Sequence, residues 1–257
     1  VHNWYAGKEY GEVWGLTTDR IMQSADENMP DQSFYHSRWG AGDIIYKDLD
    51  GNGKIDEGDR TLNNHGDLSI IANTAPRYFY SLSAGINWKG FDFNMFWQGI
   101  GKRDFLPNTT SEYFWGIMAA PNTSGVFKGG KMLDYWRPAD ETNMFGPNTN
   151  SYFPKPYFSA ERAKNIRDQS RYVLNASYIR LKNLQIGYSI PKNILDRVFV
   201  SRARIYFSAE NLLTFSTLPK LYEPETAVAS NPRDGGVDMG EIYPINQMYS
   251  FGINLTF

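Results

Sequence analysis

Apolar and polar residues alternate along several stretches of this chain with the two-residue period of strands. In the last stretch, Gln247–Phe257, one face carries Tyr249, Phe251, Ile253, Leu255 and Phe257. The other carries Met248, Ser250, Gly252, Asn254 and Thr256. Tyr78, Tyr80, Leu82, Ala84, Ile86 and Trp88 alternate in the same way. After Lys89-Gly90 so do Phe91, Phe93, Met95 and Trp97, against Asp92, Asn94 and Gln98. Two alternating runs joined by a two-residue turn containing Gly predict a hairpin. One long strand is predicted over Tyr172–Ile190, with Leu184, Ile186, Tyr188 and Ile190 on its apolar face and Pro191 ending it. Another spans Ala203–Phe215, with Ile205, Phe207 and Ala209 opposite Arg204, Tyr206 and Ser208. Glu12–Thr18 is a sixth strand candidate. Helical patterns are short, Ser159–Gln169 and Asn193–Val198, and no internal repeat stands out.

The connections alternate in length. Lys89-Gly90 is minimal and Pro191–Arg202 moderate, whereas Lys102–Arg171 and Ser216–Asn246 are long. Long loops without structure are uncommon in compact soluble domains. Transmembrane barrels combine short periplasmic turns with long outer loops, on strands that are apolar toward lipid and polar toward the lumen. The parity fits. With the C-terminus periplasmic, both short turns fall on that side, and segments 43–77, 102–171 and 216–246 are extracellular loops. The predicted class is therefore all-β, an antiparallel transmembrane β-barrel segment with long extracellular loops. Its final residue, Phe257, is aromatic, as in the last strand of bacterial outer-membrane barrels.

Composition narrows the function classes. Aromatic residues make up 16%, as the aromatic girdles of a barrel require. No apolar run approaches the ~20 residues of a spanning helix. A net charge of −2 gives no electrostatic case for nucleic acid. Without cysteine there is no disulfide framework or thiolate metal site. The first residues show no basic region followed by an apolar core, so an exported chain of this kind is expected to be mature, or a piece of something longer.

The sharpest local motif is D-L-D-G-N-G-K-I-D-E-G-D, Asp48–Asp59, which follows the calcium-loop pattern. Gly53 stands where such a loop turns sharply, and Ile55 is its apolar anchor. Oxygens of Asp48, Asp50, Asn52, Asp56 and Asp59, with the Lys54 carbonyl, are the candidate ligands of a hard cation, Ca²⁺ with Mg²⁺ as competitor. Asp59 replaces the bidentate Glu of the pattern, and a shorter carboxylate reaches less well. No helix pattern flanks the loop, so it is no paired EF-hand; an Asp/Gly/Asn turn without metal is the competing reading.

Other motifs carry less. Gly125–Lys131 has the outline of a phosphate loop, but Met132 stands where Ser or Thr would hold Mg²⁺, and no buried strand precedes it. His2, His36 and His65 are scattered. Acids such as Asp134, Asp140, Glu141, Glu223 and Glu225 have no spacing that pairs them as acid and nucleophile. Between Lys102 and Arg171 aromatics cluster, including Tyr113, Phe114, Trp115, Tyr135, Trp136, Tyr152, Phe153, Tyr157 and Phe158. They either contact a ligand or partner, or pack loops on one another at the barrel mouth.

Eight segments occur in an order that resembles the C-terminal part of the SusC/RagA family of TonB-dependent outer-membrane transporters of Bacteroidota. They are G-E-V-W-G (Gly11–Gly15), G-D-I-I-Y-K-D-L-D-G-N-G-K-I-D (Gly42–Asp56), W-K-G-F-D-F (Trp88–Phe93), F-W-Q-G (Phe96–Gly99), L-D-Y-W-R-P (Leu133–Pro138), Y-I-R-L-K-N-L-Q-I-G-Y (Tyr178–Tyr188), A-E-N-L-L-T-F-S (Ala209–Ser216) and Y-S-F-G-I-N-L-T-F (Tyr249–Phe257). The resemblance implies a large plugged barrel, a SusD-like surface lipoprotein as lid, energy from TonB, and import of glycan or peptide fragments. Plug, TonB box and most strands have no counterpart in this chain, so it is expected to be a segment of a transporter, with no plug domain in residues 1–257, and not to function alone. Two other classes compete: a soluble calcium-stabilised β-sandwich that binds carbohydrate, and a glycan-processing enzyme using loop acids such as Asp134. No enzymatic turnover is expected.

Overall fold

The computed structural model describes residues 1, 3–25, 27–118, 133–196, 199–220, 222–227 and 244–257. In chain order the strands are β1 (Glu12–Leu16), β2 (Thr18–Ile21), β3 (Ile44–Tyr46), β4 (Leu68–Asn73), β5 (Tyr78–Trp88), β6 (Phe91–Gly101), β7 (Asp104–Phe105), β8 (Leu174–Asn175), β9 (Tyr178–Ser189), β10 (Arg202–Ser216) and β11 (Met248–Thr256). Two four-residue helices, α1 (Glu112–Trp115) and α2 (Lys192–Leu195), and three 3-10 turns complete the set. The fold is all-β. No helix among the described residues is long and apolar enough to cross a membrane.

β5, β6, β9, β10 and β11 form one antiparallel sheet, the wall, in the order β5-β6-β9-β10-β11. It is an open sheet, so the described residues contain no closed barrel. Register lines up the faces. Ile86, Phe93, Ile186, Phe207 and Phe251 stand in one row across all five strands. The adjacent row, on the opposite face, is Gly85, Asn94, Gln185, Ser208 and Ser250. Because the side-chain period is two, a one-residue slip in any strand would mix these rows. Lys182 is an extra residue of β9 against β6, while β10 carries its own extra residue at Asn211-Leu212 opposite Lys182; Arg180 and Lys182 reach the same carboxylate, Glu225.

The apolar face of the wall is bare: Ile86, Ile253 and Phe251 are 65%, 64% and 82% exposed. The packed core lies elsewhere, at the end of the sheet opposite the Lys89-Gly90 turn. There the segments between wall strands fold into a cap whose buried residues include Trp14, Ile44, Tyr46, Ile55, Trp115, Phe153 and Tyr172. Short sheets frame this cap: β1 with β4, β2 with β3, and β7 with β8.

Several expectations change. The candidate over Glu12–Thr18 is a strand, but it pairs with β4 inside the cap and adds nothing to the wall. Segment 43–77 contains β3 and β4, so it is structured at both ends. The single strand expected over Tyr172–Ile190 is broken. Ser170–Tyr172 is a 3-10 turn, β8 pairs with β7, and only β9 enters the wall. The break is local. The Ala176 amide donates to the Arg103 carbonyl at 2.8 Å, and the Asn175 side chain accepts from the Ser177 amide at 2.9 Å, drawing the backbone out of an extended line. The pattern over Ser159–Gln169 yields a 3-10 turn at Ala160–Lys164 capped by the Ser159 hydroxyl. That over Asn193–Val198 yields α2, its last two residues lying outside the described residues.

Candidate functional site

Aromatic residues of the bare face concentrate toward its two ends. At the turn end Trp88, Phe91 and Tyr188 align, with the Phe91 and Tyr188 rings 4.5 Å apart. At the cap end stand Tyr78, Tyr80, Trp97 and Phe215, the last two rings stacked at 6.3 Å. Between them runs the row Ala84, Met95, Leu184 and Ala209, reaching Tyr249 on β11. Trp and Tyr toward both ends of a face whose middle rows mix aliphatic residues with Phe93, Phe207 and Phe251 form the pattern of a surface that spans a bilayer.

The opposite face is polar and carries paired charge. The Arg204 Nε donates to Asp92 Oδ1 at 2.9 Å, its second nitrogen to Oδ2. This fork crosses above Gly187, where a Cβ would come within 2.4 Å of the Asp92 carboxylate. Toward the cap the same face is covered by the segment following β10. Arg180 is buried there; it donates to Thr214 at 2.8 Å and to Glu225 at 2.7 Å, and pairs with Glu223. Lys182 adds a bond to Glu225 at 3.0 Å. Tyr222, from the same segment, packs on Phe105 with rings 4.5 Å apart. The acids Glu223 and Glu225 thus meet on a cationic pair that neutralises them.

Most of the aromatics clustered between Lys102 and Arg171 pack on one another. Phe114, Trp115, Phe153 and Tyr172 are buried in mutual edge and stacked contacts. Tyr152 is half-buried beside them, and desolvation pushes its phenol up to about 12. Trp136 is also buried. Gly42 allows its approach: at φ +93° a Cβ there would lie 2.5 Å from the indole. Arg137 secures this turn by donating to the Leu133 carbonyl at 2.8 Å. Only Tyr113 and Phe158 of the group are strongly exposed. Asp134 accepts from Asn148 at 3.0 Å. His36 lies in an exposed turn bonded to Arg38, and the His65 ring packs against Trp14. His2 and the whole of Gly125–Met132 lie outside the described residues.

The cap is held by a buried ion pair that no motif or periodicity announces. Lys164 Nζ lies 2.7 Å from Asp43, both side chains sealed from solvent, and 4.4 Å from the centre of the Tyr157 ring. Asp43 also accepts from Tyr157, Asn165 and the Gly40 amide at 2.8–2.9 Å. Asn165 in turn accepts from the Ile44 amide, fixing β3.

The Asp48–Asp59 loop runs between β3 and β4. Gly51 and Gly53 take positive φ and donate their amides to Asp48, both at 2.7 Å; the Gly53 bond is the main reason that the Asp48 carboxyl sits below its ordinary range. Asn52 bonds Asp50 through its amide and side chain, and itself accepts from the Lys54 amide. Ile55 is fully buried in the cap core, and the main chain of Lys54 forms a bridge with Asp31. Carboxylate oxygens of Asp48, Asp50 and Asp67 lie within 4.8 Å of one another. Asp56 and Asp59 are engaged elsewhere: Asp56 accepts from the Gly58 amide, and Asp59 from Asn64, each at 2.8 Å. Asp67 was hidden from the motif because it lies beyond its twelve-residue window. It is fully buried and receives the Leu49 and Asp56 amides at 2.7 and 2.9 Å. Burial, with the charges of Asp50 and Asp48, pushes its carboxyl above the ordinary range. Three oxygen donors with crowded negative charge suit a hard divalent cation.

No family model matches this chain. Among curated relatives, TonB-dependent receptor P3 of Formosa agariphila is 34% identical over 221 residues, covering 84% of this chain and 19% of its own length. TonB-dependent receptor P26 of the same organism is 23% identical over 220 residues, again 84% of this chain. The chain spans about a fifth of the length of these relatives. Among solved structures, the RagAB peptide transporter aligns over 96% of this chain and 22% of its own, at 20% identity and a TM-score of 0.59. The RagAB peptide importer in its open-open state gives a TM-score of 0.54 with the same coverage. That likeness is one of fold. By its sequence relatives and its order of motifs, and in agreement with that fold, the chain belongs to the TonB-dependent receptors, in the SusC/RagA type that its motifs resemble.

Proposed function

We propose that this chain supplies wall strands and extracellular loops to a TonB-dependent transporter of the outer membrane. The transporter takes up glycan or peptide fragments beneath a SusD-like lipoprotein lid. The observation that carries the reading is the register of the wall. Five strands bring their apolar residues into common rows on a bare face and their polar residues onto the other, which suits lipid outside and a wet lumen inside. The two outermost strands present unpaired backbone, which lipid does not tolerate, so the remainder of the barrel closes on them. Plug and TonB contacts belong to that remainder. The role is binding and passage, without covalent chemistry. The rival sandwich needs a second sheet over the apolar face, and among the described residues none covers it.

The test is mass spectrometry of the native complex purified from outer membranes in detergent. Plug peptides, further barrel strands and a lipoprotein should accompany this chain. A lone water-soluble species of 29.4 kDa would overturn the reading.

The loop between β3 and β4 we assign as a Ca²⁺ site that orders the extracellular cap. Asp48, Asp50 and Asp67 are the carboxylate ligands, with Asn52 and the Lys54 carbonyl as further oxygens. In calorimetric titration of the full-length receptor with Ca²⁺, Asp67→Asn is expected to weaken binding about tenfold or more, ~1.4 kcal/mol. Asp59→Asn should change it by less than about twofold, ~0.4 kcal/mol. Equal losses in the two variants would instead favour the ligand set of the linear motif.

A further inference from the structure

A cavity of about 240 Å³ opens in the cap beside β1, lined by Trp14, Tyr35, Glu57, Arg167 and Asp168 with an apolar floor that includes Ile166. Its charged residues are held by the main chain. The Leu16 amide donates to the Asp168 carbonyl at 2.9 Å, and Gly15 permits this approach, since a Cβ there would lie 2.5 Å from the same oxygen. The Arg167 guanidinium lies over the Tyr35 ring at 4.4 Å, which covers one of its faces. Glu57 is already committed, accepting from the Tyr35 hydroxyl at 3.2 Å and pairing with Arg60.

Arg167 and Asp168 are not so committed. The Arg167 Nε is buried and donates to no described residue. The Asp168 carboxylate interacts with the Arg167 charge and accepts no side-chain or backbone hydrogen bond among the described residues. Solvent reaches Asp168, but the surrounding protein desolvates it enough to raise its carboxyl pKa. Buried donors without partners are rare in native proteins and call for an explanation.

The geometry points to a binding site for a free α-amino acid with an apolar side chain, its carboxylate on the Arg167 edge and its ammonium on Asp168. A guanidinium edge matches a carboxylate in two parallel hydrogen bonds. An anion alone would meet repulsion from Asp168 and Glu57, and a cation alone from Arg167. A zwitterion with adjoining charges satisfies both residues, whereas a peptide carries its terminal charges many bonds apart. The cavity is smaller than the ~300–1,000 Å³ that drug-sized ligands occupy, and Ile166 and Trp14 offer an apolar side chain a surface. Sugar stacking is disfavoured because the Tyr35 ring is taken by Arg167, and the Trp14 ring by Tyr5 and His65. The inference does not depend on which nutrient the transporter imports.

The test is calorimetric titration of the full-length receptor in detergent with L-leucine. One saturable site is expected. Arg167→Met and Asp168→Asn should each weaken it about tenfold or more, with thermal unfolding unchanged. The single-charge analogues 4-methylpentanoate and isoamylamine should bind about tenfold more weakly than L-leucine. Absence of binding in the folded receptor, as when another part of the receptor fills the cavity, overturns the proposal. So does unchanged affinity in Arg167→Met.

Discussion

Lys164→Met is expected to destabilise the cap by about 3–5 kcal/mol, because it strands the buried Asp43 carboxylate without its counter-ion. Methionine fills much of the same space, so lost charge rather than lost volume dominates. The Tyr157, Asn165 and Gly40 donors remain on Asp43 and bring the effect toward the lower end of that range. The pair ties two separate stretches together: Asp43 with the first amide of β3 on one side, and on the other Lys164, which closes a 3-10 turn, with Asn165, which accepts from that amide. Loss should therefore appear as faster hydrogen exchange at Ile44 and Tyr46, and as protease cleavage within the cap, in the full-length receptor. The wall amides of β9 and β10 should be unaffected. Lys164→Met combined with Asp43→Asn should recover part of the loss, since no buried charge is then left over. Full stability in the single variant would show that water or another segment neutralises Asp43.

The second large effect concerns the wall. Leu184 lies mid-strand on β9, the central strand, between Met95 and Ala209 in the aliphatic row. If that row sits in the bilayer interior, Leu184→Arg costs about 2–4 kcal/mol of folding free energy. Gln185→Arg, one residue along and on the polar face, should cost less than about 1 kcal/mol, because the long side chain extends into a wet lumen. Urea titration of the full-length receptor in lipid vesicles measures both. Quenching by brominated lipid adds an independent check: a tryptophan at position 184 should be quenched and one at position 185 should not. Reversed costs would mean that the polar face meets lipid.

The wall and the cap obey different rules. The wall is held by strand pairing, and its large apolar residues stay exposed in the isolated sheet. In the cap, long connections bury an aromatic core and an ion pair of their own. On the polar face, Arg180 and Lys182 fasten the segment after β10 through Glu223 and Glu225. Those charges hold the segment in place, so Glu223 and Glu225 do not stand as a free carboxylate pair.

The wall is legible from the residue pattern alone. Alternation is a local property that needs no partner, so it identified five strands, assigned the residues of the hairpin and of the last strand to faces, and showed which connections are short and which long, but it did not show the bulges in β9 and β10. It also placed Asp48, Asp50 and Asn52 in one turn, because Gly53 and short polar side chains close such a turn locally. What only the tertiary structure decided lies in contacts between distant segments. β1 pairs with β4 instead of joining the wall, since its buried Trp14 and Leu16 find a core within the cap. Tyr172 leaves the strand direction to join Trp115 and Phe153. Asp67 stands beside Asp48 and Asp50, and Lys164 finds Asp43, only after the chain has folded back. Periodicity carries no information about such meetings; burial of an aromatic core and pairing of buried charge select them.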